Sequence, residues 1–370
     1  MRLFILADAA APHTRRWAKW FAENGHEVHV ITFNPNSMPN YFPAIVHCVW
    51  RYKSTSSTVI RAFKILLILW RIRSIFKKLS PDLVHAHSAG GYAWAAAIIR
   101  FKPYVVTPWG TDLLFDINNS KINYWLTSNS LVKANLVTTD GFHFFKILES
   151  LGVDKKRVYV RPFGTNVNHF KPSTDHSERC ALGVPNDSPL IISTRTLNPV
   201  HDVETFIHSI PAVNKKYPNA HFIIVGDGVE RAKFEELVRK TNLTSVTHFV
   251  GMVEEDRVCR LLQISDIYVS TSKMDAGLAA STAEAMAVGL PIIQTNNSDN
   301  EYWTPNGEGG ILVPNSDSLA LSKAIIDLLS DEDRCLKMGI RNRDKVLSEY
   351  NMDIEMSKIH EQYKLLIDTN

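Results

Sequence analysis

Cysteine is scarce in this chain, and so are long apolar runs. Of 370 residues only 4 are Cys, at Cys48, Cys180, Cys259 and Cys335, with no C-x-x-C pair. That spacing excludes a disulfide scaffold and argues against structural zinc or a redox motif. Four dispersed thiols read as reduced, in a cytoplasmic protein. Apolar stretches such as Ile65 to Trp70 fall far short of the ~18 residues that span a bilayer. The opening Met1-Arg-Leu-Phe-Ile-Leu-Ala-Asp8 lacks the apolar core of about 7–15 residues that a secretory signal needs, so it reads as a first β-strand. No G-x-G-x-x-G follows that strand, and Ser88-Ala-Gly-Gly91 does not supply one either, which argues against a dinucleotide dehydrogenase. Low-complexity tracts and short repeats are also missing.

What is present is ordinary globular composition. Hydrophobic residues make up 45% and charged residues 21%, enough to exclude disorder as the dominant state. At roughly 100–200 residues per domain, the length suggests about two domains. The net charge of +3 hides an asymmetry: residues 1–170 carry 21 Lys and Arg against 9 Asp and Glu, and the remainder 20 against 29. A basic first half suits an anionic surface, but two separately solvated domains would give the same split. No nucleic-acid partner is expected.

Aliphatic runs alternate with helical periodicity throughout. Strands are expected at 3–7, 27–32, 44–49, 83–87, 104–107, 136–138 and 158–161. The stretch 162–188, rich in Pro and Gly, reads as a break. Strands then recur at 190–194, 221–225, 246–250, 267–270, 291–294 and 310–313, with helices between them. This βαβα alternation predicts doubly wound parallel sheets. The domains are placed at 1–165 and 166–350, both Rossmann-like, with 351–370 a C-terminal helix crossing back to the first. Ligands of such sheets bind beyond the strands' carboxyl ends, so the two domains are expected to line a shared cleft.

The richest segment runs from Lys273 through Asp275, Ala276, Gly277, Leu278, Ser281, Thr282 and Glu284 to Pro291. It follows a strand and enters a helix. Small residues admit a ligand to the backbone, and the free N–H groups near Ser281 and Thr282 can hold a diphosphate. Glu284, one turn in, can accept hydrogen bonds from ribose hydroxyls. A tightly packed helix fitting a sheet would use the same small residues, and both readings stay open. Arg195 ends a strand, where a guanidinium suits a phosphate; a lone surface Arg in a turn is the alternative. Gly226-Asp-Gly228 is a turn signal.

Taken in order, these pieces resemble the GT4-type retaining glycosyltransferases of GT-B fold. The matching residues are Arg195, Ile224-Val-Gly-Asp-Gly228, His248-Phe-Val-Gly251, Ser270 through Pro291, and Gly309-Gly-Ile-Leu-Val-Pro314. The linker from Arg161 to Pro172 is similar to the family's interdomain segment. The resemblance implies a nucleotide-diphosphate sugar donor, retention at the anomeric carbon and no metal or other cofactor. It places Arg195 and His201 on the diphosphate, Glu284 on the ribose, and Gly251 and Met252 near the base. Gly226 joins the donor set, and Asp275, Ala276, Gly277 and Leu278 surround the sugar. Asp275, Glu284 and Arg195 are the catalytic candidates. The chain departs from the pattern twice. Ala276 stands where the family has its first Glu, with Asp275 one residue earlier, and the family's phosphate Lys is missing, with His201 the nearest replacement.

In the first half, Pro12-His13-Thr-Arg-Arg16-Trp17 and Trp109-Gly-Thr-Asp112 resemble a subgroup that builds bacterial surface polysaccharide. His13, Arg16, Trp109 and Asp112 are the acceptor-site candidates. Trp17 also reads as core packing, and Asp112 as a helix N-cap. His85-Ala-His87 has the look of a metal pair but no third ligand nearby.

Residues 56–80 predict a basic amphipathic helix. Val59, Phe63, Leu66 and Trp70 share one face, with Arg61, Lys64, Arg71 and Lys78 opposite and Arg73 and Lys77 near the end. An anionic membrane surface at the inner face of the plasma membrane fits it, and so does packing against the first sheet. The expected protein is a retaining, metal-independent hexosyltransferase acting on a glycan or lipid-linked acceptor. A UDP-sugar epimerase of GT-B fold and a non-catalytic nucleotide-sugar-binding scaffold are the rivals. The epimerase would turn over a donor without acceptor; the scaffold would bind nucleotide without transfer.

Overall fold

The computed structural model describes residues 1–34, 44–49, 58–114, 116–161 and 163–369, apart from the side chains of 58–63. The chain divides into two compact units: Met1–Arg161 with Met356–Asn370, and Pro162–Glu355.

The first unit runs β1 (Arg2–Leu6), α1 (Pro12–Glu23), β2 (Glu27–Thr32), β3 (Ile45–Cys48), α2 (Thr58–Leu79), β4 (Leu83–His87), α3 (Gly91–Ile99), β5 (Tyr104–Thr107), α4 (Thr111–Leu114), α5 (Lys121–Lys133), β6 (Leu136–Thr139), α6 (Phe144–Ser150) and β7 (Val158–Val160). Among the described residues its strands form a seven-stranded parallel sheet, ordered β3-β2-β1-β4-β5-β6-β7. Strands buried on both faces need continuous apolar runs, and Leu3-Phe4-Ile5-Leu6 is such a run, fully buried.

The second unit runs α7 (Ser177–Leu182), β8 (Leu190–Ser193), α8 (Val203–Lys216), β9 (His221–Val225), α9 (Arg231–Lys240), β10 (Thr247–Gly251), α10 (Glu255–Gln263), β11 (Ile267–Ser270), α11 (Ala280–Ala287), β12 (Ile292–Thr295), α12 (Asn300–Trp303), β13 (Gly310–Val313), α13 (Ser318–Leu329) and α14 (Glu332–Glu349). Its parallel sheet is ordered β10-β9-β8-β11-β12-β13. One core layer under it includes Phe206, Ile210 and Phe222, and the other Tyr268, Met286 and Trp303. The expected linker at 162–188 contains α7, whose buried Arg179 donates to the carbonyls of Ile264 (3.0 Å) and Ser188 (2.7 Å).

The final helix, α15 (Met352–Asp368), returns to the first unit, as anticipated. Tyr363 stacks on Phe21 with ring centroids 5.5 Å apart, and His360 stands edge-on to Trp20 at 6.2 Å.

Helix α2 shows a split surface. Ile72 and Phe76 are buried, whereas Leu66 and Trp70 are 65% and 66% exposed. The expected apolar face therefore does not coincide with the buried one; Val59, Arg61 and Phe63 lie outside the described side chains, and 56–57 outside the described residues. Arg71 donates to the Val49 carbonyl at 2.8 Å. Among the described residues no helix is long and apolar enough to cross a membrane. All four cysteines are free.

Candidate functional site

In the second sheet the strand order reverses between β8 and β11. Loops leaving a parallel sheet at such a switch point diverge to opposite faces and open a crevice between them. Arg195 stands two residues beyond β8, and the 271–279 loop follows β11. The sequence therefore delivers the guanidinium and the small-residue segment to one place.

There Arg195 is held by four side chains. Its Nη2 donates to Asp275 Oδ1 at 2.5 Å, Ser272 Oγ at 2.6 Å and His201 Nδ1 at 2.9 Å. Its Nη1 donates to Ser281 Oγ at 3.1 Å, and that hydroxyl also accepts from the Tyr268 phenol at 2.9 Å. The Arg195 and Asp275 side chains are only 10% and 5% exposed. Two atoms of the pair, Arg195 Nε and Asp275 Oδ2, are buried without a hydrogen-bond partner among the described residues. A half-satisfied buried ion pair is costly unless something else completes it.

His201 meets Arg195 directly. A guanidinium can only donate, so His201 Nδ1 accepts from it. Burial and the Arg195 charge push its pKa down to about 3. At neutral pH the imidazole beside Arg195 is therefore neutral and accepts from the guanidinium.

Helix α11 begins after Ala279, which has no side chain to cap it. The first amides of the helix are left for another acceptor, at the positive end of the helix dipole. Ser281 is half-buried there and Thr282 is buried. Glu284, on the same helix, is 7% exposed. Ala276 is half-buried and Gly277 buried, whereas Leu278 lies in the core and its carbonyl accepts from the Tyr350 phenol at 3.1 Å.

The glycines have structural work. A Cβ at Gly226 would sit 2.4 Å from the Arg195 carbonyl oxygen, and its φ of +130° suits glycine alone. The Gly226 amide donates to the Gly251 carbonyl at 2.9 Å. Gly226 thus lets the Arg195 loop lie against the β9 end. Gly251 lies beside the Arg231 guanidinium, and Met252 is 70% exposed. Ser272 and Tyr268 are the residues that sequence reasoning missed. Position was the one signal for Ser272, two residues beyond β11, whereas Tyr268 lies within the strand and gave none.

In the first unit the switch lies between β1 and β4. His13, exposed at the start of α1, stacks on Trp109 with centroids 4.3 Å apart. Trp109 in turn meets His87 edge-on at 5.4 Å. Arg16 is half-buried in the same helix, and Trp17 is buried against His85 and His87. Asp112 is 5% exposed, and its carboxylate accepts amides from Ala89 (2.7 Å), Trp109, Gly110 and Leu113 (3.1 Å each). Burial raises its pKa against those hydrogen bonds. It braces two strand-end loops, much as the capping alternative implied.

His85 and His87 face the same side of β4, with rings 4.4 Å apart. Both His85 nitrogens are engaged, Nε2 with Thr107 Oγ1 at 2.6 Å and Nδ1 with the Tyr363 phenol at 2.8 Å. Burial holds its pKa at about 3 and that of His87 well below the ordinary value. The pair belongs to a neutral hydrogen-bonded core, and among the described residues no three His, Cys, Asp or Glu side chains gather as metal ligands.

Known proteins show the same architecture. The family model for glycosyl transferases group 1 matches residues 175–345, and that for glycosyl transferase 4-like proteins matches 2–142. The chain is 22% identical to the putative glycosyltransferase EpsD of Bacillus subtilis, covering 93% of this chain and 91% of that one. It is 24% identical to the alpha-monoglucosyldiacylglycerol synthase of Acholeplasma laidlawii, over 94% of this chain and 90% of the relative. Anabaena HepE, solved in complex with UDP-glucose, superposes with a TM-score of 0.82 at 17% identity, covering 99% of this chain and all of the other.

Proposed function

The chain belongs to the GT4-type glycosyltransferases of GT-B fold, and from that premise we propose that it moves a hexosyl group from a nucleotide-diphosphate donor to an acceptor hydroxyl, with retention and without a metal. The observation that carries the donor assignment is the Arg195 cluster beside the uncapped start of α11. As the sugar–phosphate bond breaks, negative charge grows on the diphosphate. A fixed guanidinium and helix amides aimed at that charge lower the barrier without reorganising. Asp275, His201, Ser272 and Ser281 keep the guanidinium in place, and Glu284 receives the ribose hydroxyls. Gly251 and Met252 would flank the base, with Ala276, Gly277 and Leu278 nearest the sugar. The first unit would take the acceptor through His13, Arg16 and Trp109.

The acceptor is read as a glycan or lipid-linked hydroxyl in surface-polysaccharide assembly, with the enzyme peripheral on the inner face of the plasma membrane. The name of the Acholeplasma relative, a diacylglycerol glycoside synthase, supports a lipid acceptor. The basic helix α2 supports a membrane-side location.

A thermal-shift panel of nucleotide sugars tests the donor. A ligand at 100 times its Kd stabilises by about 2.7 kcal/mol, an easily read shift. Glu284→Ala should abolish transfer. Arg195→Ala should lower kcat/KM by at least the ~1.5–3 kcal/mol of a charge-assisted hydrogen bond. Wild-type kinetics in both variants would place the site elsewhere. NMR of the product should show the donor's anomeric configuration, and chelation should leave the rate unchanged.

A further inference from the structure

Right-handed connections from β3 to β4, β4 to β5 and β5 to β6 place α2, α3 and α5 on one face of the first sheet. Helix α3 packs against both of the others. The inner side of this layer is accounted for by Ile72 and Phe76 of α2, the alanines of α3 and Leu131 of α5, all buried.

Among the described residues, the outer side carries large exposed apolar side chains. Leu66 and Trp70 on α2 are 65% and 66% exposed, Ile98 on α3 is 49% exposed, and Ile122 and Trp125 on α5 are 70% and 64% exposed. Each helix ends a few residues before the strand it feeds. At 1.5 Å of rise per residue, Trp70 and Trp125 lie about 13 Å and about 12 Å back from those ends. The two indoles therefore stand at one level, with Leu66 and Ile122 on the same side of them.

Charge surrounds this apolar band with one sign. Arg73, Lys77 and Lys78 are exposed on α2, and Arg100, Lys102 and Lys133 close α3 and α5. No Asp or Glu occurs from residue 28 to residue 81. Of the acidic groups beside the layer, Asp82 accepts the Arg2 amide at 2.6 Å, and Asp116 lies exposed in the turn before α5.

We propose that this three-helix surface seats on an anionic lipid bilayer, with Trp70 and Trp125 entering the interface as paired anchors. The proposal rests on the peripheral location read above and extends it from one helix to a platform. Indole rings favour the interfacial zone, and lysines and arginines around them are drawn to anionic headgroups. A second copy of the chain would bring cation against cation. A surface of this kind lies on the bilayer rather than crossing it, in line with the short apolar stripes.

Flotation of the full chain with vesicles of phosphatidylcholine and phosphatidylglycerol in equal parts tests it. The chain should float with these vesicles, less so at high salt, and stay behind with pure phosphatidylcholine. Trp70→Ser and Trp125→Ser should each lower the partition coefficient about tenfold, the step expected when one large apolar side chain leaves its buried site. The double variant should not float, while its melting curve by circular dichroism stays that of the parent. Three results would overturn the proposal: no flotation with anionic vesicles, a Trp125→Ser variant that floats like the parent, or a concentration-dependent dimer that Trp125→Ser dissolves. Flotation needs no donor. A chain that floats but transfers no sugar defeats the transferase reading alone, and one that transfers to a soluble acceptor but never floats defeats this proposal alone.

Discussion

Arg195 meets four side chains before any substrate arrives. Its rotamer freedom is already spent, so a phosphate bound there would not have to order it. The same rigidity depends on a neighbour without a side chain. Gly226→Ala would force a methyl group to 2.4 Å from the Arg195 carbonyl at a φ of +130°. The backbone strain alone is about 1–3 kcal/mol. Urea unfolding should register that loss, and donor affinity should fall with it because the Arg195 loop must shift. A variant with parental stability and affinity would show that the loop is not constrained. These residue-level facts were unevenly legible. Arg195 could be read from its place at a strand end, and Asp275 from the small-residue segment. Their pairing could not, because 80 residues separate them and only the β8–β11 switch joins them. His201 was read as the nearest replacement for the missing Lys; its burial and its contact with Arg195 were not legible, since neither is local in sequence.

Elements were the most legible level. Parallel strands buried on both faces are rich in aliphatic and β-branched residues, so β2, β4, β5, β9, β11 and β13 fall where the pattern put them. Amphipathic α8 likewise presents Val203, Phe206, Ile207, Ile210 and Val213 to the core. Helix α2 resisted, because its apolar residues encircle it. Periodicity grouped Leu66 and Trp70 as one face, while the sheet selects Ile72 and Phe76. Helix α15 was foreseen as a crossover, but not the hydrogen bond from Tyr363 to His85 at 2.8 Å. Tyr363→Phe leaves a buried imidazole nitrogen without its partner and should cost about 1–3 kcal/mol. Chemical denaturation would measure it; an unchanged midpoint would mean that the phenol contributes nothing there.

For the molecule as a whole, buried neutral histidines set the acid response. His85 and His201 have pKa values near 3, against an ordinary value of 6.5. Below about pH 6.5 the unfolded chain gains protons that the folded chain refuses, so stability falls as pH drops toward 3. Each histidine adds up to about 1.4 kcal/mol per pH unit to that slope. Urea midpoints should therefore be lower at about pH 5 than at about pH 7, and equal midpoints would contradict the burial of these rings.

The return of α15 also bears on how the chain is made. Trp20 and Phe21 leave the ribosome early, but the helix that covers them emerges only after all of the second unit has been synthesised. The second unit, Pro162–Glu355, is synthesised entirely before residues 356–370. The first must wait for that helix, and a stop between residues 161 and 356 would leave it unfinished. A released chain truncated just before Met356 should thus present a protease-resistant later half beside a still-cleavable earlier one.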